Sequence, residues 1–351
     1  FCSFVVSIGQ AHRVDEYIDA LARESAAHKG ARIGTVYFGG GTPTFLDERQ
    51  LRKLTDAIRK NFDVEDSAEW TIEANPENLN LSKARFLREL GFNRLSIGVQ
   101  SFDERYLKFL GRNHDRDTAL KSYADARNAG FTNINVDLMF GFPGQSVQDL
   151  ASDIHAIAQL QSEHVSLYNL TIEENSRFHA KQIKLDDQDH LAAEYVLICE
   201  SLEGMGLRQY EVSNFSRPQY ESRHNTNYWN GSSYIGLGVG AHAFLKNRRS
   251  WNVAKLQEYF TRIGAGGEAV EGFEDLSRET LLMERVLFGL RKNEGIVLED
   301  IETSLGLRLD HERMRRIEEF IADGFLVREH GRIKTSMKGR LVLDELSSRL
   351  I

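Results

Sequence analysis

Between residue 13 and about 172 the chain alternates amphipathic stretches with short apolar runs. Apolar residues at helical spacing predict helices over 15–28, with Tyr17, Ile18, Leu21 and Ala22 on one face, and over 47–62, with Leu51, Leu54, Ile58 and Phe62 on one face. Further helices are predicted over 81–90, 103–111, 117–129 and 147–160, the first and third of these stopped by Gly91 and Gly130. Between the helices, nearly continuous apolar runs predict strands over 33–38, 70–74, 94–99, 134–139 and 164–172. Strands of that kind are covered on both faces, and short strand–helix–strand connections imply parallel pairing in an α/β fold.

The beat loosens after residue 172. A helix is expected over 188–205 and strand-like pieces over 209–212 and 234–244, with His224-Asn225-Thr226-Asn227-Tyr228 and a run of spaced glycines, Gly236, Gly238 and Gly240, among them. From about 277 the pattern is helical again, over 279–290, 298–305 and 311–323. A hairpin over 325–327 and 332–335 around Gly331 follows, then a last helix over 338–349. This reads as three parts: a barrel-like core over 1–172, an extension over 173–275, and a small α+β winged-helix-like domain over 276–351.

Charge narrows what the last part does. Winged helices often bind DNA, yet the chain carries a net charge of -8, and residues 310–351 hold nine Lys/Arg against eight Asp/Glu. That is no footprint for a polyanion, so a structural or protein-contact role is expected and nucleic acid is not. Cys2 and Cys199 are too few for a disulfide framework, which makes the cytoplasm the expected compartment. Cys199 falls in a helical pattern and reads as a core residue. No apolar run approaches the roughly 20 residues of a membrane span.

Candidate chemistry gathers at one kind of position. Gly39-Gly40-Gly41-Thr42-Pro43, Glu73-Ala74-Asn75-Pro76, Gln100-Ser101, Asp137, and Thr171 with Glu173 all sit at C-terminal ends of predicted strands. In barrels and open parallel sheets that edge carries the ligand. Three glycines after a strand let a ligand touch backbone with no Cβ in the way.

Taken in order, Phe1-Cys2-Ser3-Phe4, Gly39–Pro43, Glu73–Pro76, Gly98-Val99-Gln100-Ser101, Leu110-Gly111-Arg112 and Asp137–Pro143 resemble the radical S-adenosylmethionine (SAM) enzymes. Within them the chain is similar to the branch related to oxygen-independent coproporphyrinogen III oxidase, and most of all to its HemW-type haem chaperones. The resemblance implies an incomplete (β/α)6 barrel. It also implies a 4Fe-4S cluster on three cysteines, of which Cys2 matches the third; the first two and the first strand are expected before Phe1. Thiolates suit such clusters as soft, anionic ligands. By the same resemblance Gly40, Gly41 and Thr42 would present backbone groups to the methionine end of S-adenosylmethionine. Glu73 would accept from a ribose hydroxyl or the ammonium, and Gln100, Arg112 and Asp137 would fix the carboxylate and ribose. Phe1 and Thr171 would lie by the adenine. The implied chemistry is reductive cleavage of the sulfonium, releasing a deoxyadenosyl radical.

Two features separate the branches. The oxidases carry a further cysteine two residues after the third cluster cysteine, where this chain has Phe4, and His224-Asn225-Thr226-Asn227-Tyr228 matches the chaperones' H-N-x-x-Y motif, tied to haem binding. His224 is therefore a candidate axial ligand, since imidazole suits haem iron. The expected partners are haem or porphyrin, acceptor haemoproteins, and a reductant such as a flavodoxin or ferredoxin, with peripheral membrane association in addition. The alternative is an oxidase that decarboxylates coproporphyrinogen III to protoporphyrinogen IX.

Overall fold

The structure is a computed structural model that describes residues 9–350, apart from 175 and the side chain of 177. The chain divides into two compact units, one of Phe1–Gln188, Gly236–His242 and Ser250–Gly272, the other of Asp189–Ile235, Ala243–Arg249 and Phe273–Ile351.

The first unit is built on five parallel strands that pair in sequence order: β1 (Arg32–Phe38), β2 (Asp63–Ala74), β3 (Arg94–Gln100), β4 (Ile134–Phe140) and β5 (His164–Asn169). Helices α1 (Val14–Ala26), α2 (Glu48–Asn61), α3 (Leu81–Glu89), α4 (Glu104–Leu110), α5 (Arg116–Asn128) and α6 (Val147–Leu160) supply the cover. Local chemistry starts the helices where the sequence signals them. Asp47 and Gln50 form a reciprocal capping box at α2, Ser146 and Asp149 another at α6, and Asn80, Asp103 and Asp115 cap α3, α4 and α5. β3 and β4 are buried almost end to end, as strands covered on both faces must be.

Register then does the positioning. Phe38 pairs with Ile72, Ala74 with Ile97, Gly98 with Asp137, and Asp137 with Ser166. The glycine run after β1, Glu73 and Asn75, and Gln100 therefore reach one edge of the sheet, with Asp137 below it at mid-strand in β4. One boundary differs from expectation: β2 begins at Asp63, seven residues before the predicted start. Its first half is charged and largely exposed (Asp63, Glu65, Asp66), and pairs with Arg32 and Ile33, so no apolar alternation announces it.

In the second unit an antiparallel pair, Arg208–Glu211 with Asn214–Ser216, precedes the helix Arg223–Trp229. Helices Arg278–Arg291, Leu298–Leu305 and His311–Ala322 follow, with the antiparallel hairpin Leu326–Glu329 and Arg332–Thr335, in the winged-helix-like order expected. Val286, Leu290, Ile317, Phe320, Ile333 and Leu350 are among its core. The last predicted helix is two, Met337–Arg340 and Leu343–Leu350. The strand expected over 234–244 forms only at its end, as His242–Leu245; before that, Tyr234 alone pairs, with Phe244 through two backbone hydrogen bonds of 2.9 Å, and the spaced glycines between them cannot sustain a strand. Cys199 is buried as expected, and burial pushes its thiol up to about 11.

Candidate cofactor site and the His224 helix

At the C-terminal edge of β1–β4 a connected set of polar groups converges. Gly40 has φ +100°, a left-handed conformation that favours glycine, and its N–H donates to Glu73 Oε2 at 3.2 Å. The Tyr37 hydroxyl donates to Glu73 Oε1 at 2.8 Å. Asn75 is the hinge of the set: its Nδ2 donates to Thr42 Oγ1 at 3.1 Å and its Oδ1 accepts from Arg112 Nη2 at 2.8 Å. The same Nη2 donates to the Gly98 carbonyl at 2.6 Å. Gly98 is small for a reason, because a Cβ there would stand 3.1–3.3 Å from Gln100 Nε2, Arg112 Nη2 and Asn75 Oδ1. Between Gly98 and Gln100 the β3–β4 register slips, and Gln100 takes φ +69°, a strained value for a residue with a side chain.

Below this edge the strand faces carry a polar network. Asp137 accepts from Ser96 Oγ at 2.9 Å and from Asn135 Nδ2 at 2.7 Å, while Asn135 Oδ1 meets His164 Nδ1 at 2.6 Å. Low dielectric sets the electrostatics. Burial pushes the Glu73 carboxyl up to about 7, against the hydrogen bond from Tyr37 and with the Asp137 charge adding to the rise. Burial also raises Asp137 despite its hydrogen bonds, lowers Arg112, and holds His164 well below the usual imidazole range. The Arg112 Nε is buried with no hydrogen-bond partner among the described residues.

The structure thus brings Gly40, Thr42, Glu73, Gln100 and Arg112 to one sheet edge, with Gly41 between the first two, while Asp137, expected at a strand end, sits at mid-strand in β4 below that edge. Thr171 lies exposed two residues beyond β5, its hydroxyl 3.5 Å from Glu173. Phe1 and Cys2 lie outside the described residues. Tyr37 and Asn75 were not singled out from the sequence. For Asn75 the signal was there, in the run Glu73-Ala74-Asn75-Pro76; nothing marked Tyr37 inside its apolar strand.

His224 belongs to the second unit. Its helix, Arg223–Trp229, starts at Ser222, whose buried Oγ accepts from Asn225 N at 3.2 Å. One turn of helix brings residues four apart together, and His224 Nε2 lies 3.0 Å from the Tyr228 hydroxyl, with the two rings perpendicular at 5.2 Å. The Tyr228 ring meets Tyr234 at 4.7 Å, and burial pushes its hydroxyl up to about 12.

The Radical SAM superfamily matches residues 1–157, and the HemN C-terminal domain matches residues 276–342. The "Heme chaperone HemW" of Bacillus subtilis is 34% identical, over 99% of this chain and 94% of that protein; that of Mycobacterium tuberculosis is 35% identical, over 96% and 86%. This chain belongs to the HemW family. Coproporphyrinogen III oxidase (HemN) from Escherichia coli, a radical SAM enzyme, superposes with a TM-score of 0.87 at 25% identity, covering 99% of this chain and 86% of that one. The fold is therefore the incomplete radical SAM barrel with a small C-terminal domain, and the 4Fe-4S cluster and S-adenosylmethionine are the cofactors of the superfamily. Both matched regions and the H-N-x-x-Y run fall within the stretch shared with the HemW relatives.

Proposed function

We propose that this chain is a haem chaperone, binding haem through His224 and delivering it to apo-haemoproteins. The observation that carries this reading is the His224–Tyr228 pair, an imidazole one hydrogen bond from a phenol beside aromatic rings, in a chain aligned along nearly its whole length with proteins named heme chaperones. An imidazole is a good axial ligand, and a hydrogen bond to a neighbour fixes its ring orientation.

The residues at the edge of β1–β4 suit S-adenosylmethionine. Its carboxylate needs a cation, and the buried Arg112 Nε is an unfilled donor. Its ammonium and sulfonium need acids, supplied by Glu73 and Asp137, whose carboxyls burial raises. Gly40 and Gly41 have open space where a Cβ would stand, so backbone is accessible there. Thr42, Gln100, Thr171 and Phe1 complete the set, and Cys2 would give one thiolate to the cluster. When bound, cluster and nucleotide together supply one-electron chemistry. The chain's own share is to hold Arg112 on Asn75 and Gly98, to keep Glu73 oriented by Tyr37 and Gly40, and to bury both acids. A flavodoxin or ferredoxin is the proposed reductant, the cytoplasm the proposed compartment, and peripheral membrane contact a further part of the reading. No helix among the described residues is long and apolar enough to cross a membrane.

A second reading has one observation in its favour, the similarity in fold to coproporphyrinogen III oxidase. One experiment separates the two. The intact, anaerobically reconstituted protein is loaded with haem and mixed with an apo-haemoprotein, and separately incubated with coproporphyrinogen III, S-adenosylmethionine and reductant. Haem transfer faster than from free haem, with no protoporphyrinogen IX formed, is the expected result. Turnover of coproporphyrinogen III without haem transfer would replace the chaperone reading by the oxidase one.

A further inference from the structure

The second unit contains a cavity of about 350 Å3 beside the Arg223–Trp229 helix. Its apolar lining is a chain of rings. Tyr228 meets Tyr234 nearly edge-on at 4.7 Å, Tyr234 meets Phe244 at 6.4 Å, and Trp229 meets Phe288 at 6.2 Å. Ring walls of this kind accept flat, π-rich molecules, and the volume sits at the small end of ligand clefts, roughly 300–1,000 Å3. The cavity therefore takes part of a large flat ligand rather than enclosing all of it.

The polar lining gives that ligand a sign. Among the residues lining the cavity there is one acid, Glu284, and two cations, Arg249 and Arg285. Glu284 accepts from Arg249 Nη2 at 2.6 Å, so those two charges offset each other. Arg285 donates to Ser304 Oγ at 2.9 Å, a neutral partner. The lining is thus aromatic with a net positive charge at Arg285. A guanidinium with donors in a planar fork is suited to a carboxylate.

We propose that this cavity seats the carboxylate-bearing edge of a porphyrin, with Arg285 recognising a propionate and the rings of Tyr228, Phe244 and Phe288 covering the edge of the macrocycle. The proposal rests on the haem reading of His224 and adds to it. A histidine reads the iron; this cavity reads the carboxylates of the ring, whether or not iron is present. Tyr228 links the two, because the same residue lines the cavity and bonds His224.

The test uses the intact, cluster-reconstituted protein and three probes: metal-free protoporphyrin IX, its dimethyl ester, and haem, titrated in the same detergent by fluorescence or absorbance. Wild type is expected to bind protoporphyrin IX about tenfold or more tighter than the ester, the size of a lost charge-assisted hydrogen bond. Arg285→Gln is expected to abolish that preference and Arg285→Lys to keep most of it. Neither variant leaves a paired acid without its partner, so folding is not at stake, and a thermal melt checks this. His224→Ala is expected to keep the preference for protoporphyrin IX over its ester, while the absorption of bound haem changes. Equal affinity of wild type for acid and ester, or an Arg285→Gln preference that matches wild type, overturns the cavity assignment. Haem absorption unmoved by His224→Ala, with the ester preference intact, instead overturns the ligand role of His224 and leaves the cavity standing.

Discussion

Glu73 and Asp137 are buried acids, each raised by burial, and their behaviour follows from where the backbone puts them. Glu73 offers the sharper test. Its folded-state value, about 7, lies above the ordinary 4.5, so the folded protein holds that proton more tightly than the unfolded chain does. The resulting stabilisation is complete below about pH 4.5 and is lost as pH rises through 7. Glu73→Gln removes the titration while the other groups still titrate. The variant should melt close to wild type at pH 5 and be the more stable of the two at pH 8, by about 1–3 kcal/mol once partial exposure is discounted. Thermal melts of the unliganded proteins at the two pH values check it, and a difference independent of pH would count against the burial argument. The same variant should lose affinity for S-adenosylmethionine, because the acid that raises the stability cost is the one proposed to meet the ligand. Legibility at this scale was uneven. Glycines and acids at strand ends announce themselves, whereas Asn75 gains its role only when β1, β2 and β3 lie side by side and place Thr42 and Arg112 on either side of it. His164 and Asn135 were hidden inside strands that read as apolar, because a buried network is satisfied by partners on neighbouring strands that the sequence does not order.

Elements were most legible where one rule governs both pattern and packing. Helices α1–α6 fall within one or two residues of their predicted bounds because their apolar stripes and caps are local. β2 escaped at its start because its first half is exposed and charged, and the 234–244 segment misled over its glycine-rich first part, since a strand forms only at His242–Leu245. The Arg223–Trp229 helix, bearing the H-N-x-x-Y run, was not anticipated: it is seven residues long, below the length at which periodicity can speak, and it depends on its cap. Ser222→Ala should therefore cost about 1 kcal/mol and lower the melting temperature by about 2–4 °C. It should also weaken haem binding by loosening the His224–Tyr228 pair, with the absorption of the bound haem unchanged. A melting curve and a haem titration decide it; full stability with weakened binding, or the reverse, would mean that the cap does not tie helix order to the ligand.

For the whole molecule, the alternation of strands and helices predicted the α/β layer and the order of helices and hairpin predicted the C-terminal module, since both express periodicities of one face or two. The near balance of charge in that module argues from the sequence for a structural or protein-contact role. Membership of the HemW family then rests on similarity along nearly the whole chain, from the radical SAM barrel to the HemN C-terminal domain. What no periodicity could supply is which ligand each unit takes, because that depends on side chains that tertiary packing brings together. The most direct measurement is a haem titration of the intact, anaerobically reconstituted protein, wild type against His224→Ala, with iron content and S-adenosylmethionine binding followed on the same samples. Saturable haem binding with a shifted Soret band in wild type, lost in His224→Ala while iron content and nucleotide binding stay the same, is the predicted result. An unchanged spectrum and affinity in His224→Ala would contradict the account.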